Sequence, residues 1–156
     1  MTNQSTQKKG TLLILEKLVK QTNALNTLLI TKEGTVISEA GDTKSLNTTA
    51  MAALVAGMFS ATREVARMVG EKQFSILLQQ GEERHIHISL VTDSAMMVIV
   101  FEDYKKIGKV RFEAKKAGEQ LYQQLMSDAD SKNDIAVPQF KEYALNLIDQ
   151  IFTTSK

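Results

Sequence analysis

The chain has 156 residues, 43% apolar and 24% charged, the composition of one ordinary globular domain with a possible appendage. Nineteen Lys and Arg against eighteen Asp and Glu leave a formal charge of +1, and no basic stretch is interleaved with aromatics, which argues against a nucleic-acid partner. With no cysteine, disulfides and thiolate metal sites are excluded, and a reducing compartment is compatible.

The opening MTNQSTQKKG is polar and lacks the apolar centre of a signal peptide. No apolar run reaches membrane-spanning length. A cytoplasmic protein with no membrane partner is expected, residues 1–9 forming a flexible tail. From Gly10 to Thr22, Leu12, Leu15, Leu18 and Val19 recur at helical spacing, with Glu16, Lys17 and Lys20 turned outward. Two strands follow, Leu25–Thr31 and Thr35–Glu39, joined by Lys32-Glu33-Gly34, a connection with glycine where a positive φ is wanted. Gly41-Asp42 ends the second strand.

The next stretch, NTTAMAALVAGMFSATREVARMVG (47–70), dominates the chain. Asn47 is a capping residue and Gly70 a helix stop. Between them no charge occurs before Arg63, and apolar residues spread over more than one stripe. A helix apolar nearly all round is usually buried nearly all round, which in a domain this small requires a second body. Leu54, Met58, Ala61, Val65 and Met68 form a continuous stripe expected to lie on a sheet. Ala53, Ala56, Gly57, Ser60 and Glu64 form another, almost wholly of small residues, expected to be an interface. Gly57 costs about 1 kcal/mol against alanine in a helix interior, which close approach of another backbone would justify.

Three strands then follow: Phe74–Gln80, Arg84–Thr92 and Ala95–Glu102. The second alternates, with Ile86, Ile88 and Leu90 on one face and His85, His87 and Ser89 on the other, expected to be wet. The third is apolar almost throughout and so reads as central. Gly108 opens a second long helix, running from Lys109 to about Met126. Residues 127–138, with three aspartates and the single proline, read as a linker. Beyond it Phe140, Tyr143, Leu147, Ile148, Ile151 and Phe152 share one face of a tethered amphipathic helix (139–156), a form suited to groove binding. Folding back onto the domain is the other reading of that helix. The predicted fold is α+β: about five antiparallel strands between the long central helix and two further helices, residues 10–126 forming the domain.

Catalytic chemistry is not visible. The two histidines have no glycine-flanked serine to serve, and neither GxGxxG nor a P-loop occurs, so no catalytic residue and no cofactor are expected. His85 and His87 with Glu83 share an alternating face and could ligate a metal, but a plain polar face is the commoner meaning and no metal is expected. Glu102-Asp103 point to opposite faces and mark a strand end rather than an acid–base pair.

Three runs carry a resemblance: the hairpin with Gly34, Ile37, Ser38, Ala40 and Gly41; the helix start with Thr48, Thr49, Ala52, Leu54, Ala56 and Gly57; and FEDYKKIGKVRFEAKKAGEQL (101–121). Together, over roughly residues 10–126, they resemble the roadblock family, most closely its bacterial MglB branch. The resemblance implies a roadblock-like, profilin-like fold and a homodimer in which central helices and an edge strand of two copies meet. It also implies docking on a small Ras-like GTPase (MglA-like), in control of cell polarity or gliding motility. The dimer would stimulate GTP hydrolysis by rearranging the GTPase's own switch elements, or act as a scaffold without activating it. The docking face carried over is Ala53, Ala56, Gly57 and Ser60, with Arg63, Glu64 and Arg67 adding charge where related helices stay small.

Overall fold

The computed structural model describes the backbone of residues 2–132 and the side chains of residues 5–127. The elements are α1 (Thr2–Thr22), β1 (Asn26–Thr31), β2 (Val36–Gly41), α2 (Thr48–Met68), β3 (Ile76–Gln80), β4 (His85–Thr92), β5 (Ala95–Phe101) and α3 (Ile107–Lys132). The strands form one antiparallel sheet in the order β2-β1-β5-β4-β3, so the fold is the α+β arrangement expected from the hairpin signals.

The uninterrupted apolar run of β5 is explained by its place. It is the middle strand, and all seven of its residues are buried. Met97, Ile99 and Phe101 join Leu15, Leu18, Val110 and Leu121 in a core beneath α1 and α3. Met96 and Val98 join Leu28, Ile30, Ile88 and Phe59 in a second core beneath α2. The sheet therefore has helices on both faces, as predicted.

The β1–β2 hairpin sets where α2 sits. Thr31 N donates to Thr35 O at 2.8 Å, and Gly34 takes φ +94°, the conformation the turn demands. A Cβ on Gly34 would come within 2.8 Å of the Ala53 Cα, so glycine there also allows the turn to touch the helix backbone. Asp42 leads into the crossover. Its carboxylate accepts the Ser45 hydroxyl at 2.7 Å, and that bond holds its pKa below the usual range.

Two boundaries differ from expectation. Helix α1 reaches back to Thr2, through most of the stretch read as a tail. Residues 2–9 show no apolar phase, but Gln and Lys are good helix formers, and the Thr11 hydroxyl donates to the carbonyls of Gln7 and Lys8. At the other end α3 continues to Lys132, into the predicted linker. Residues 133–138 and the proposed tethered helix, with Phe140, Tyr143, Leu147, Ile148, Ile151 and Phe152, lie outside the described residues.

Candidate partner-binding face

Helix α2 is fixed at both ends by its own sequence. Asn47 Oδ1 accepts from Ala50 N at 3.1 Å. At the other end Gly70 takes φ +87°, Gly70 N donates to Arg67 O, and Glu71 N donates to Ala66 O at 2.8 Å. That double bond pattern around a left-handed glycine is a Schellman stop. Both caps match the sequence reading.

The rotation of the helix does not. Its buried residues are Ala52, Val55, Ala56 and Phe59, and the Phe59 ring packs 5.1 Å from that of Phe74. The stripe expected to face the sheet is turned outward instead: Leu54 is 74%, Val65 58% and Met68 85% exposed, Ala61 is exposed and Met58 half-buried. Periodicity offers two apolar stripes and does not choose between them. The seated one combines two small alanines with Val55 and the Phe59 ring, and the alanines let the helix lie close to the sheet. Ala56, expected on the interface, is accordingly 6% exposed.

The outward stripe continues onto the sheet edge. Met51, Leu54 and Met58 bound a groove whose far side is Gln79 of β3 and Ile86 of β4. Strand β3 is the last of the sheet, and an edge strand offers backbone groups for pairing. Val69, just past the helix, is also 79% exposed. Large apolar surfaces on small domains are a general signature of interaction sites, which makes this stripe the candidate.

The small-residue flank lies beside it. Ala53, Gly57, Ser60, Glu64 and Arg67 are exposed and Arg63 is half-buried. A Cβ on Gly57 would meet nothing within 4 Å, so this glycine makes no room for the domain's own core. Ala56, Ser60 and Arg63 also line a groove of about 250 Å³ with Lys32 and Glu33 of the hairpin turn and Asp93 of the β4–β5 turn. The sequence marks Lys32 and Glu33 only as a hairpin turn and assigns none of the three to a site, because only the sheet order brings the two turns together beside the middle of α2. Arg67 Nη1 donates to Glu64 Oε1 at 2.6 Å in an exposed pair of small energetic worth.

The other sequence candidates are structural. Glu102 stands 3.9 Å from Arg84, and Asp103 Oδ1 accepts from Lys105 N in the single 3-10 turn before α3. The histidine face, expected to be wet, is buried: His85 is 2% and His87 1% exposed. His85 packs against Phe101 at 5.2 Å and Tyr104 at 5.1 Å, while Glu83 remains exposed. Among the described residues no three His, Asp or Glu side chains gather as a metal site. Alternation told the two faces of β4 apart correctly; which helix would cover the histidine face was a tertiary matter.

Burial, and secondarily the Arg111 guanidinium, push the His87 pKa below its ordinary value. The folded chain thus resists a proton that the unfolded chain accepts near pH 6.5. Stability is unaffected by His87 above that pH and falls as pH drops through it, by at most about 1.4 kcal/mol per pH unit. Thermal melts from pH 7.5 to 5 are expected to show this loss, and His87→Phe to reduce the slope.

Comparison with known proteins agrees with this architecture. The Roadblock/LC7 domain model matches residues 11–101. MglB of Myxococcus xanthus is 29% identical, with a TM-score of 0.73 over 77% of this chain and 90% of that one. The gliding protein MglB of Thermus thermophilus is 29% identical, with a TM-score of 0.71 over 76% and 90%. Profilin IA of Acanthamoeba castellanii, at 13% identity and a TM-score of 0.53 over 72% and 97%, shares the fold alone. A search of the curated proteins found no match.

Proposed function

The chain belongs to the Roadblock/LC7 domain family, and from that premise we propose that it is a homodimeric regulator that binds a small Ras-like GTPase through paired α2 helices and stimulates its GTP hydrolysis. The observation that carries this reading is the exposed apolar stripe Leu54–Val65–Met68, set beside a flank of small residues on one rigid helix. One surface suits a second copy and the other a client. The likeness to MglB supports the same reading, with an MglA-like GTPase as the client and cell polarity or gliding motility as the setting.

The chain itself performs no catalysis in this scheme. Arg63 and Arg67 both sit on the rigid helix α2, Arg63 half-buried in a groove floored by Ala56 and Phe59, whereas an arginine finger comes from a segment free to reach into the GTPase. Activation then works by repositioning the GTPase's own switch elements. The protein acts in the cytoplasm on this reading; no helix among the described residues is long and apolar enough to cross a membrane.

The second reading is a scaffold that holds the GTPase without changing its turnover. It is favoured by the charged end of α2, where Glu64 and Arg67 stand exposed. Single-turnover GTP hydrolysis by a purified MglA-like GTPase decides between them. Faster hydrolysis in the presence of this chain is expected; binding with an unchanged rate would leave the scaffold.

A further inference from the structure

The charge of the chain is unevenly placed. Among the described side chains of α1 and α3 there are eight Lys and Arg against three Glu, whereas the rest of the chain holds more Asp and Glu than Lys and Arg. The formal charge of +1 conceals this. Both helices lie on the face of the sheet opposite α2. They run antiparallel, Gly10 meeting Gln124 and, further along, Gln21 sharing a seam with Glu113. The result is a two-helix plate whose outer side is basic.

Each helix raises one large apolar side chain from that plate. Leu13 of α1 is 64% exposed, on the side away from buried Thr11, Leu15 and Leu18. Lys9 and Lys17 stand four residues before and after it and Lys20 seven after, so all three share its exposed face. Phe112 of α3 is 67% exposed, on the side away from Val110, Ala114 and Leu121. Exposed Lys109, Lys115 and Lys116 lie three or four residues from it. Neither ion pair among the described residues involves any of these lysines.

Single exposed apolar residues are ordinary, but two of them, each ringed by lysines on one plane, fit a lipid surface. The ammonium groups reach the headgroup phosphates while the ring and the leucine between them enter the acyl boundary. Nucleic acid would use the cations and leave Leu13 idle, since bases stack on aromatic platforms. A spanning segment is not needed, because peripheral attachment requires only buried apolar area and charge attraction.

We propose that the α1–α3 face docks on an anionic lipid bilayer, with Leu13 and Phe112 in the interface and the surrounding lysines on the headgroup phosphates. Docked this way, the chain keeps α2 free across the sheet, so the proposal stands apart from the GTPase reading.

Phe112→Trp supplies the test, because the chain has no other tryptophan. Mixed with vesicles of phosphatidylglycerol and phosphatidylcholine, the full chain carrying it is expected to float with the lipid. Its emission is expected to shift to the blue and to be quenched by brominated lipid. Vesicles of phosphatidylcholine alone are expected to bind at least about tenfold more weakly. So is the anionic mixture at about 1 M salt, where the Debye length falls to about 3 Å. One lysine near an anionic surface changes affinity about fivefold. Lys9→Glu combined with Lys109→Glu, both exposed, is therefore expected to weaken flotation on the order of a hundredfold at an unchanged melting temperature. Leu13→Ser combined with Phe112→Ser, with every charge kept, is expected to weaken it about tenfold. The proposal is overturned if the chain does not float, if neutral and anionic vesicles bind alike, or if the tryptophan emission stays unshifted. Tighter binding to duplex DNA than to the vesicles at equal phosphate concentration would also overturn it. None of these results bears on the hydrolysis assay.

Discussion

Leu54→Asp combined with Val65→Asp is expected to turn the proposed homodimer into folded monomers. Both side chains stand in solvent in the single protomer, at 74% and 58% exposure, so neither change touches a core. The helix itself loses at most about 0.5 kcal/mol at Leu54 and almost nothing at Val65, since valine and aspartate have similar helix propensities. In a two-fold interface each substitution occurs twice, so the double variant places four unpaired carboxylates in a surface that was apolar. Burying one unpaired charge costs on the order of 3–5 kcal/mol, and the dimer dissociation constant should rise by at least about a thousandfold. Light scattering on the eluting protein reads the mass, and circular dichroism reads the fold. A dimer that survives both charges would mean that the stripe serves some other contact.

Gly57→Arg, or Ser60→Arg in a second variant, is expected to abolish GTPase binding while the dimer persists. Gly57 faces open space and Ser60 is exposed, so an arginine at either position fits the protomer. At position 57 the helix gains up to about 1 kcal/mol in propensity. The client, however, would meet a long charged side chain where it had approached a bare backbone, and a loss of about a hundredfold or more in affinity follows from overpacking and desolvation combined. Pull-down and calorimetry with the GTP-loaded GTPase measure it. Full-affinity binding by both arginine variants would remove the small-residue flank from the docking surface. The two pairs of substitutions are complementary: one is expected to remove the proposed dimer, the other to remove the proposed client while the dimer persists.

Much of the architecture was legible because it depends on neighbours in the chain. The Lys32-Glu33-Gly34 turn, the Asn47 cap and the Gly70 stop are local chemistry, and each lies where the residues placed it. The centrality of β5 was legible from its unbroken apolar run, since only a strand covered on both faces can use one. The resemblance carried by three runs in order pointed to the family that the Roadblock/LC7 match then established.

The candidate site was only half visible. That α2 carried more apolar surface than its own sheet could cover was evident from composition, but which stripe would be covered was not. Periodicity specifies angles around a helix and leaves its rotation open. The rotation is chosen by packing, by Phe59 seated on the sheet against Phe74 while Ala52 and Ala56 keep the same face thin, and by Gly34 meeting Ala53. The stripe of Leu54, Val65 and Met68, expected on the sheet, therefore lies outside.

The sequence by itself determined the elements, their caps, the centre of the sheet and the surplus of grease on α2, because all of these follow from contacts between near neighbours or from one segment's own pattern. Tertiary structure alone decided which face of α2 stays outside, that His87 is enclosed under α3, and that the two turns meet beside the middle of α2. Those outcomes depend on how elements far apart in the chain settle against each other, and close packing has no signature in a single segment.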